Sequence, residues 1–317
     1  MKTDHPAEVL NGIAFAAGAY ILWGLLPIYW KLVQSVPSPE VLAHRIVWSF
    51  VLMIVILLAT RKLRSFCGEL REIIANPKKL FGVFMASLFI TFNWFTYIWA
   101  VNDNRVIETS LGYYINPLVS VLLGIFVLKE KLSFWQMVSF LLAMIGVLNM
   151  TLQFGAVPWA ALALAVSFGL YGLCKKMVHL GAITGITTET LIISPFALLY
   201  LTYIHKSGSG SFGAAYPDIT ALLIGAGIVT AVPLILFSKG ANRLPLTIIG
   251  FLQYIAPTIA LLLGVFLYHE PFTSVHMVSF AFIWVALLIF SLAKTKSFVQ
   301  LESWLLKKAS VKKGETA

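Results

Sequence analysis

A histidine and an arginine stand side by side inside a long apolar stretch near the start of this sequence, at His44 and Arg45. An ionised side chain in such surroundings costs several kcal/mol unless it reaches a polar surface, finds a partner or lines a wet cavity. Arg45 could extend its guanidinium along the apolar surface to water. If both side chains face inward, they could instead hold an anion or carry a proton, because imidazole titrates near neutral pH.

Polar and aromatic side chains recur deeper in the first half of the chain. Asn93 and Tyr97 lie four residues apart and share a helix face, and Tyr113 and Asn116 share another at a spacing of three. One interpretation is that these groups form hydrogen bonds between neighbouring helices. Because they lie deeper than an aromatic belt at a membrane surface would, a solute that passes through is the alternative partner.

Two carboxylates stand where predicted helices begin. Glu40 follows Ser38 and Pro39, and Glu189 lies at the start of a later apolar run. A carboxylate at this position interacts favourably with the positive end of the helix dipole, which is a purely structural role. Glu189 could instead supply charge recognition or ion coupling for a solute.

Patterns typical of enzymes and ATP-driven pumps are absent from the sequence. It contains no pair of histidines at metal-ligand spacing, no Asp-rich diphosphate motif and no nucleophile elbow. The glycine-rich stretch 207–213 lacks the Gly-Lys-Ser/Thr that would cradle a phosphate, and no Walker sequence occurs elsewhere. We therefore predict no catalytic residues, no metal site and no cofactor. Cys67 and Cys174 are expected to be free thiols on the reducing side of the membrane.

Composition indicates that lipid surrounds much of this chain. Of its 317 residues, 59% are hydrophobic and 11% are charged, and the mean hydropathy is +0.89. A soluble fold of this length could not bury so much apolar surface. Apolar runs of about 20 residues, enough to cross a bilayer as a helix, recur along the chain. Helices are required because a lipid-exposed backbone must satisfy its own hydrogen bonds.

These runs predict an all-α polytopic membrane protein with ten transmembrane helices. The predicted spans are Gly12 to Lys31, Glu40 to Thr60, Lys79 to Val101, Ile107 to Leu128, Phe134 to Leu152, Trp159 to Cys174, Thr187 to Ile204, Ile219 to Phe237, Leu246 to Tyr268 and Thr273 to Ala293. Between the second and third spans, apolar residues at helical spacing among arginines predict a further helix that lies on the membrane surface.

The positive charges predict the orientation of the spans. If both termini are cytoplasmic, 19 of the 23 Lys and Arg residues fall in cytoplasmic segments, in agreement with the positive-inside rule. The four others are Lys31, Arg45, Arg105 and Lys206. The net charge of +10 is therefore explained by topology, and a nucleic-acid partner is not expected.

The two halves of the chain repeat each other. A shift of 140 positions, without a gap, aligns Tyr114 with Tyr254, Pro117 with Pro257 and Glu130 with Glu270, and it places Gln253 on Tyr113. Such a match indicates an internal duplication. Five helices in each half would make the two copies inverted relative to each other. The predicted organisation is a first repeat over residues 1–153, a second over 154–294 and a basic amphipathic cytoplasmic tail over 295–317.

The repeated stretch has two ends with different expected roles. Pro117 and Pro257 lie inside predicted helices, where a proline removes a hydrogen bond and favours a kink. Interrupted helices at matching places in inverted halves are typical of transporter binding sites, although a passive kink is the alternative. Glu130 and Glu270, at opposite membrane faces, are expected to cap or brace helix ends, with a gating role as the weaker alternative.

Several motifs together resemble one protein family. They are Leu22-Trp-Gly-Leu-Leu-Pro27, Ala43-His-Arg-Ile-Val-Trp-Ser49, Ser110-Leu-Gly-Tyr-Tyr-Ile-Asn-Pro117, Phe168-Gly-Leu-Tyr-Gly172, Glu189-Thr-Leu191 and Gly250-Phe-Leu-Gln-Tyr-Ile-Ala-Pro257. They resemble the RarD proteins of bacteria, within the EamA branch of the drug/metabolite transporter superfamily. The resemblance covers nearly the whole chain. It implies ten helices in two inverted repeats, a bacterial plasma-membrane location and a substrate cavity between helices of the two halves.

We therefore predict a secondary permease or exporter for a small metabolite or drug-like solute, working by alternating access. A membrane-embedded enzyme and a non-transporting scaffold or sensor are the alternatives. The predicted substrate path is lined by His44, Arg45, Trp48, Asn93, Trp94, Tyr97, Tyr113, Tyr114, Asn116, Tyr171, Glu189, Gln253 and Tyr254, with Pro117 and Pro257 as kinks or gates. The expected partners are membrane lipid and a small-molecule substrate, and a homodimer is an open alternative to a monomer.

Overall fold

The computed structural model describes residues 6–128, 133–154, 157–178, 180–241, 243–244, 252–293, 295, 298–300 and 302–303. Helices account for the regular structure of these residues, and none of them lies in a β-strand. The main helices are α1 (Pro6–Leu32), α2 (Ser38–Ala59), α3 (Leu63–Ala75), α4 (Pro77–Asn102), α5 (Val106–Leu128), α6 (Phe134–Phe154), α7 (Trp159–Val178), α8 (Ala182–Lys206), α9 (Pro217–Ala241), α10 (Ile255–Leu262) and α11 (Ser274–Leu292). A π-helical turn, Leu263–Leu267, continues α10.

Seven of the described helices are long and apolar enough to cross a membrane, namely α1, α2, α4, α6, α8, α9 and α11. Two shorter apolar helical segments, Trp159–Lys175 and Ile255–Leu267, belong to α7 and to α10 with its π turn. Large apolar side chains such as Phe81, Phe196 and Leu199 are more than half exposed on these helices. Apolar surface of this extent is compatible with lipid and would be unfavourable in water. The first residues of the predicted span Leu246 to Tyr268 lie outside the described ones.

Helix starts follow the local sequence. The side chain of Asn76 accepts hydrogen bonds from the backbone N–H groups of Lys78 and Lys79, at 3.1 and 3.2 Å, and Pro77 occupies the first position of α4. Asn is a favoured N-cap, and a proline there loses no helical hydrogen bond. The helix α3 buries Phe66 and Ile73 and exposes most of its charged residues, so the predicted amphipathic helix is present.

The contacts divide the chain into two compact units, and the boundary within α5 falls between Asn116 and Pro117. The first unit contains α1 to α4, the first half of α5, and α7 to α10 with the π turn. In it α1 packs on α9 and α10, and α2 packs on α8 and α9. Its core includes Trp30, Tyr97, Ile98, Leu164 and Leu223.

The second unit contains the rest of α5, together with α6 and α11. Here α6 packs along α11, and a Cβ atom at Gly146 would lie only 2.8 Å from the carbonyl oxygen of Ser279. The side-chain amide of Asn149 donates to the Ser279 hydroxyl at 3.0 Å. A glycine and an interhelix hydrogen bond of this kind are typical of close helix packing in membranes.

Candidate functional site

The helix α2 carries a polar and aromatic face formed by Glu40, His44 and Trp48, which recur every four residues. The buried ring of His44 stacks on Phe212, with centroids 4.7 Å apart, and the ring of Trp48 lies 6.3 Å from the same Phe212. Within the described part of the chain, neither ring nitrogen of His44 has a hydrogen-bond partner. The indole N–H of Trp48 likewise has no acceptor there. Phe212 belongs to the loop between α8 and α9, so this loop covers the face.

Glu40 fixes that loop in place. Its carboxylate accepts hydrogen bonds from the backbone N–H of Ser211 at 2.6 Å and from the Ser211 hydroxyl at 3.2 Å. The side chain of Glu40 is buried, at 1% exposed. Because Ser211 precedes Phe212, the two hydrogen bonds set the position of the ring over His44. The helix-start position predicted for Glu40 is correct, and its carboxylate additionally binds a loop 171 residues away.

Arg45 points to a different set of neighbours from those of His44. Its guanidinium lies close to the rings of Trp30 on α1 and Trp94 on α4, with the guanidinium carbon 5.0 and 4.3 Å from the ring centroids. The residue is only 4% exposed. Its Nε and Nη1 atoms have no hydrogen-bond acceptor among the described residues. Arg45 is thus a buried cation that contacts two aromatic rings and has two nitrogen atoms without a hydrogen-bond acceptor among the described residues.

Tyr97 and Tyr113 complete the surroundings of Arg45. Their rings meet edge to face, with centroids 5.6 Å apart, and both residues lie close enough to interact electrostatically with the guanidinium. One turn further along α5, the buried side-chain oxygen of Asn116 lacks a hydrogen-bond donor in the described structure. The structure therefore brings Arg45, Trp94, Tyr97 and Tyr113 together. That they line a substrate path stays a prediction.

Asn93 has a structural partner instead. Its side-chain amide donates hydrogen bonds to the carbonyl oxygen of Leu164 and to the hydroxyl of Ser167, each at 3.0 Å. Both partners belong to α7, so Asn93 joins α4 to α7. Of the two interpretations of the sequence, interhelix hydrogen bonding accounts for this buried amide.

Tyr114 and Tyr254 meet each other directly. Their rings stack with centroids 6.2 Å apart, and the Tyr114 hydroxyl lies 2.6 Å from the hydroxyl of Thr258 on α10. One turn earlier on α5, the Ser110 hydroxyl donates to the carbonyl oxygen of Pro257 at 2.7 Å. Pro257 lies in the first turn of α10, after a turn that contains Gln253. Pro117 lies within α5, and its side chain is outside the described part of the structure.

A third cluster joins α7 to α8. The buried carboxylate of Glu189 accepts hydrogen bonds from the ammonium of Lys175 at 2.8 Å and from the hydroxyl of Tyr171 at 3.1 Å. An ion pair inside apolar helices is costly unless both charges are paired in this way. The predicted Tyr171 and Glu189 are therefore together, but apart from the Arg45 surroundings. The prediction omitted Lys175, although its spacing of four from Tyr171 places both on one helix face.

Carboxylates also hold two helix N-termini. Glu270, which follows the π turn, accepts hydrogen bonds from the backbone N–H groups of Val106 and Ile107 at 2.7 and 2.8 Å. Glu108 in turn accepts one from the N–H of Ala160 at 2.9 Å. Burial raises the pKa of the Glu270 carboxyl, and its two backbone hydrogen bonds and the nearby Lys31 act in the opposite direction. The capping role predicted for Glu270 is confirmed, whereas Glu130 lies outside the described residues.

Phe212 and Trp30 are contact residues that the sequence prediction missed. Phe212 is the one large apolar residue in the glycine- and serine-rich stretch 207–213. An isolated aromatic residue in such a loop was the feature from which its contact with the helices could have been predicted. Trp30 stands beside Lys31 at a span end, where an aromatic residue is usually interfacial. Across the described residues, no three His, Cys, Asp or Glu side chains come together as a metal site would require.

An all-helical chain with this many long apolar helices, and with buried charges inside them, is a multi-pass membrane protein. The chain belongs to the EamA-like transporter family, whose model matches residues 10–152 and again residues 156–292. The fold of this family is a ten-helix repeat, which confirms the predicted fold class.

Individual relatives agree with this assignment. The uncharacterized transporter YojE of Bacillus subtilis is 49% identical over 293 residues, which cover 92% of this chain and 96% of YojE. The protein RarD of Escherichia coli is 43% identical over 286 residues, which cover 89% and 94% of the two chains. These matches confirm the resemblance to RarD proteins. One crystal structure of a protein is similar with a TM-score of 0.57 and 18% identity, over 88% of this chain and 96% of the other, and shows the fold alone.

Proposed function

We propose that this protein is a secondary transporter that moves a small organic solute across the bacterial plasma membrane by alternating access. The observation that carries the proposal is the group of buried, unsatisfied polar atoms of His44, Arg45 and Asn116 inside the described helices. Buried polar groups in lipid-embedded helices are costly without partners, so their persistence points to a ligand that supplies them. A chain of a transporter family is expected to keep such groups along its substrate path.

The proposed substrate path comprises the residues predicted from the sequence. In the first unit, Arg45, Trp94, Tyr97 and Tyr113 would bind the solute, and His44 and Trp48 would line its approach beneath Phe212. Asn116, Tyr114 and Tyr254 would continue the path along α5 and α10, next to Gln253. Asn93 and the Tyr171 and Glu189 pair would position the helices around it. Pro117, inside α5, would permit the helix bending that alternating access needs, whereas Pro257, in the first turn of α10, would mark the interruption before that helix.

We further propose an orientation with both termini in the cytoplasm, two inverted repeats over residues 1–153 and 154–294, and a cytoplasmic tail over 295–317. Contacts between connecting segments support this topology. Glu40 binds Ser211, Lys31 donates to Asn104 at 2.5 Å, and Glu270 binds the start of α5. Each of these contacts joins segments that the charge distribution assigns to the same, outer face.

Counterflow in proteoliposomes tests the function. A compound that stabilises the purified protein, found by screening amino acids, nucleobases and small drugs, is labelled and offered to vesicles that contain its unlabelled form. A carrier accumulates the label transiently without any energy source, whereas a scaffold does not. The double variant His44→Ala/Asn116→Ala should lose this accumulation. The variant Thr202→Ala, whose exposed hydroxyl bonds only within its own helix, serves as the control.

Two results would contradict the proposal. One is unchanged counterflow in the His44→Ala/Asn116→Ala protein, which would show that these residues do not line the substrate path. The other is chemical conversion of the stabilising compound without vectorial movement, which would favour the enzyme alternative.

A further inference from the structure

Arg45 differs from the other buried charges of the first unit because none of the described residues gives it an oppositely charged partner. The buried Glu40 is engaged by Ser211, and the partly buried Glu108 by Ala160 and Arg105. The remaining two buried carboxylates have partners as well, since Glu189 binds Lys175 and Tyr171, and Glu270 binds two backbone N–H groups. Every buried carboxylate described in this unit is therefore committed elsewhere, and the guanidinium keeps an uncompensated positive charge.

The aromatic neighbours of Arg45 do not supply what it lacks. Trp30 and Trp94 lie against the guanidinium with ring centroids 5.0 and 4.3 Å away, which gives a favourable cation–π interaction. The N–H groups point outward in the guanidinium plane, and indole rings offer them no acceptor lone pairs. The two aromatic contacts therefore leave the Nε–H and Nη1–H groups without an acceptor among the described residues.

Arg105 shows what a satisfied arginine looks like in the same chain. Its guanidinium carbon lies 5.2 Å from the ring centroid of Trp99, a stacking contact comparable to those of Arg45. It also donates to Asp103 at 2.8 Å and to Glu108 at 3.4 Å. These acidic partners raise the pKa of Arg105. Both arginines contact an aromatic ring, and they differ in burial and in the acid. The side chain of Arg105 is 40% exposed and has acidic partners, whereas Arg45 is buried and has no acidic partner among the described residues.

We propose that Arg45 binds the carboxylate of a small organic acid whose apolar body lies against the surrounding aromatic side chains. A carboxylate presents two oxygens in the geometry that matches the guanidinium fork, and such charge-assisted pairs are stronger than neutral hydrogen bonds. Trp94 and Tyr113 are partly exposed, whereas Arg45 is buried, and the proposed site therefore includes these two rings as the side from which the acid enters. The claim that the acid is the transported substrate rests on the proposed transport function. The claim that Arg45 binds the acid does not.

The test compares acids with their own amides on the full chain in detergent at neutral pH. The probes are phenylacetate and phenylacetamide, benzoate and benzamide, and hexanoate and hexanamide, with acetate and chloride as anions that lack an apolar body. A ligand of the folded state raises the apparent melting temperature. We expect at least one acid to raise it and its amide, at equal concentration, to leave it unchanged. This wild-type comparison decides the matter even if an Arg45 variant fails to fold.

Variants then locate the site. In Arg45→Gln the shift caused by the acid should disappear, corresponding to a loss of affinity of about tenfold or more. In Arg45→Lys it should be reduced, because an ammonium keeps the charge and loses the fork. The matched control is Arg105→Gln, which removes the other stacked arginine and should keep the full acid-dependent shift.

Three outcomes would overturn the inference. They are equal shifts for acids and amides across the panel, equal shifts for chloride or acetate and the larger acids, and an acid-dependent shift that survives Arg45→Gln. The proposed transport function is refuted by a different result. Acid-selective binding without counterflow of that acid would refute transport and leave the anion site intact. Counterflow of acid and amide at equal rates would support transport and refute the anion site.

Discussion

Tyr114 stacks on Tyr254, its own counterpart in the repeated sequence, with the ring centroids 6.2 Å apart and the ring planes 20° from parallel. Tyr254 immediately precedes α10, so the contact joins α5 to the start of α10. The two copies of the repeated stretch thus meet through an equivalent residue in each.

The hydroxyl of Tyr114 should contribute to stability through Thr258. Removing it in Tyr114→Phe breaks the 2.6 Å hydrogen bond, although the Thr258 hydroxyl keeps its bond to the carbonyl oxygen of Tyr254. We expect the free energy of unfolding to fall by about 1 kcal/mol, the net value of a typical hydrogen bond. Denaturant unfolding of the purified protein measures it. Tyr203→Phe, at a 69% exposed position, should change nothing, and an equal loss in both variants would refute the role.

The ion pair of Lys175 and Glu189 predicts non-additive effects. Lys175→Met leaves a buried carboxylate with Tyr171 as its one remaining partner shown here, and should cost about 3 kcal/mol. Adding Glu189→Gln removes the stranded charge, so the double variant should regain most of that loss. A double-mutant cycle on unfolding free energies measures the coupling. Additive losses would show that the two charges do not depend on each other.

Glu40 should control the mobility of the loop that carries Phe212. Replacing it in Glu40→Ala removes both hydrogen bonds to Ser211. Amide hydrogen exchange over residues 207–213 should then become faster by about tenfold, which corresponds to about 1.4 kcal/mol of lost local stability. Asp218→Asn, at an exposed position at the other end of the same connection, is the control. Unchanged exchange in Glu40→Ala would mean that the Phe212 contacts alone hold the loop.

The topology predicts which connections face outward. In a background without Cys67 and Cys174, single cysteines are placed at the exposed positions Ser65 and Ser209. A maleimide reagent that cannot cross membranes should label Ser209→Cys on intact cells and should label Ser65→Cys only after the cells are opened. Labelling in the reverse order would invert the proposed orientation.

The fold could largely be predicted from sequence because its determinants are local or repeated. Span length and backbone satisfaction in lipid require helices wherever the apolar runs occur. The match of Tyr114 with Tyr254 needed only a comparison of the chain with itself. The inward position of Arg45 was one of two open alternatives, since an arginine near a helix end can equally extend to the surface.

The contacts between distant segments could not be predicted in this way. Glu40 and Ser211 are 171 residues apart, and no periodicity connects a helix start with a loop residue. Whether Asn93 meets a solute or another helix depends on which face of α7 lies opposite, and it is Ser167 that occupies that position. Lys175 was assigned to a cytoplasmic helix exit by its charge, while the structure turns it toward Glu189.

The carboxylate caps link three segments of the first unit end to end. Glu270 accepts hydrogen bonds from the first two residues of α5. Glu108, within the first turn of α5, accepts hydrogen bonds from the N–H groups of Ala160 and Ala161 at the start of α7. These hydrogen bonds couple the Glu270 segment to the start of α5 and, through Glu108, to the start of α7. Three stretches that are far apart in the sequence are thereby joined through two carboxylates and the backbone N–H groups that helix starts leave free.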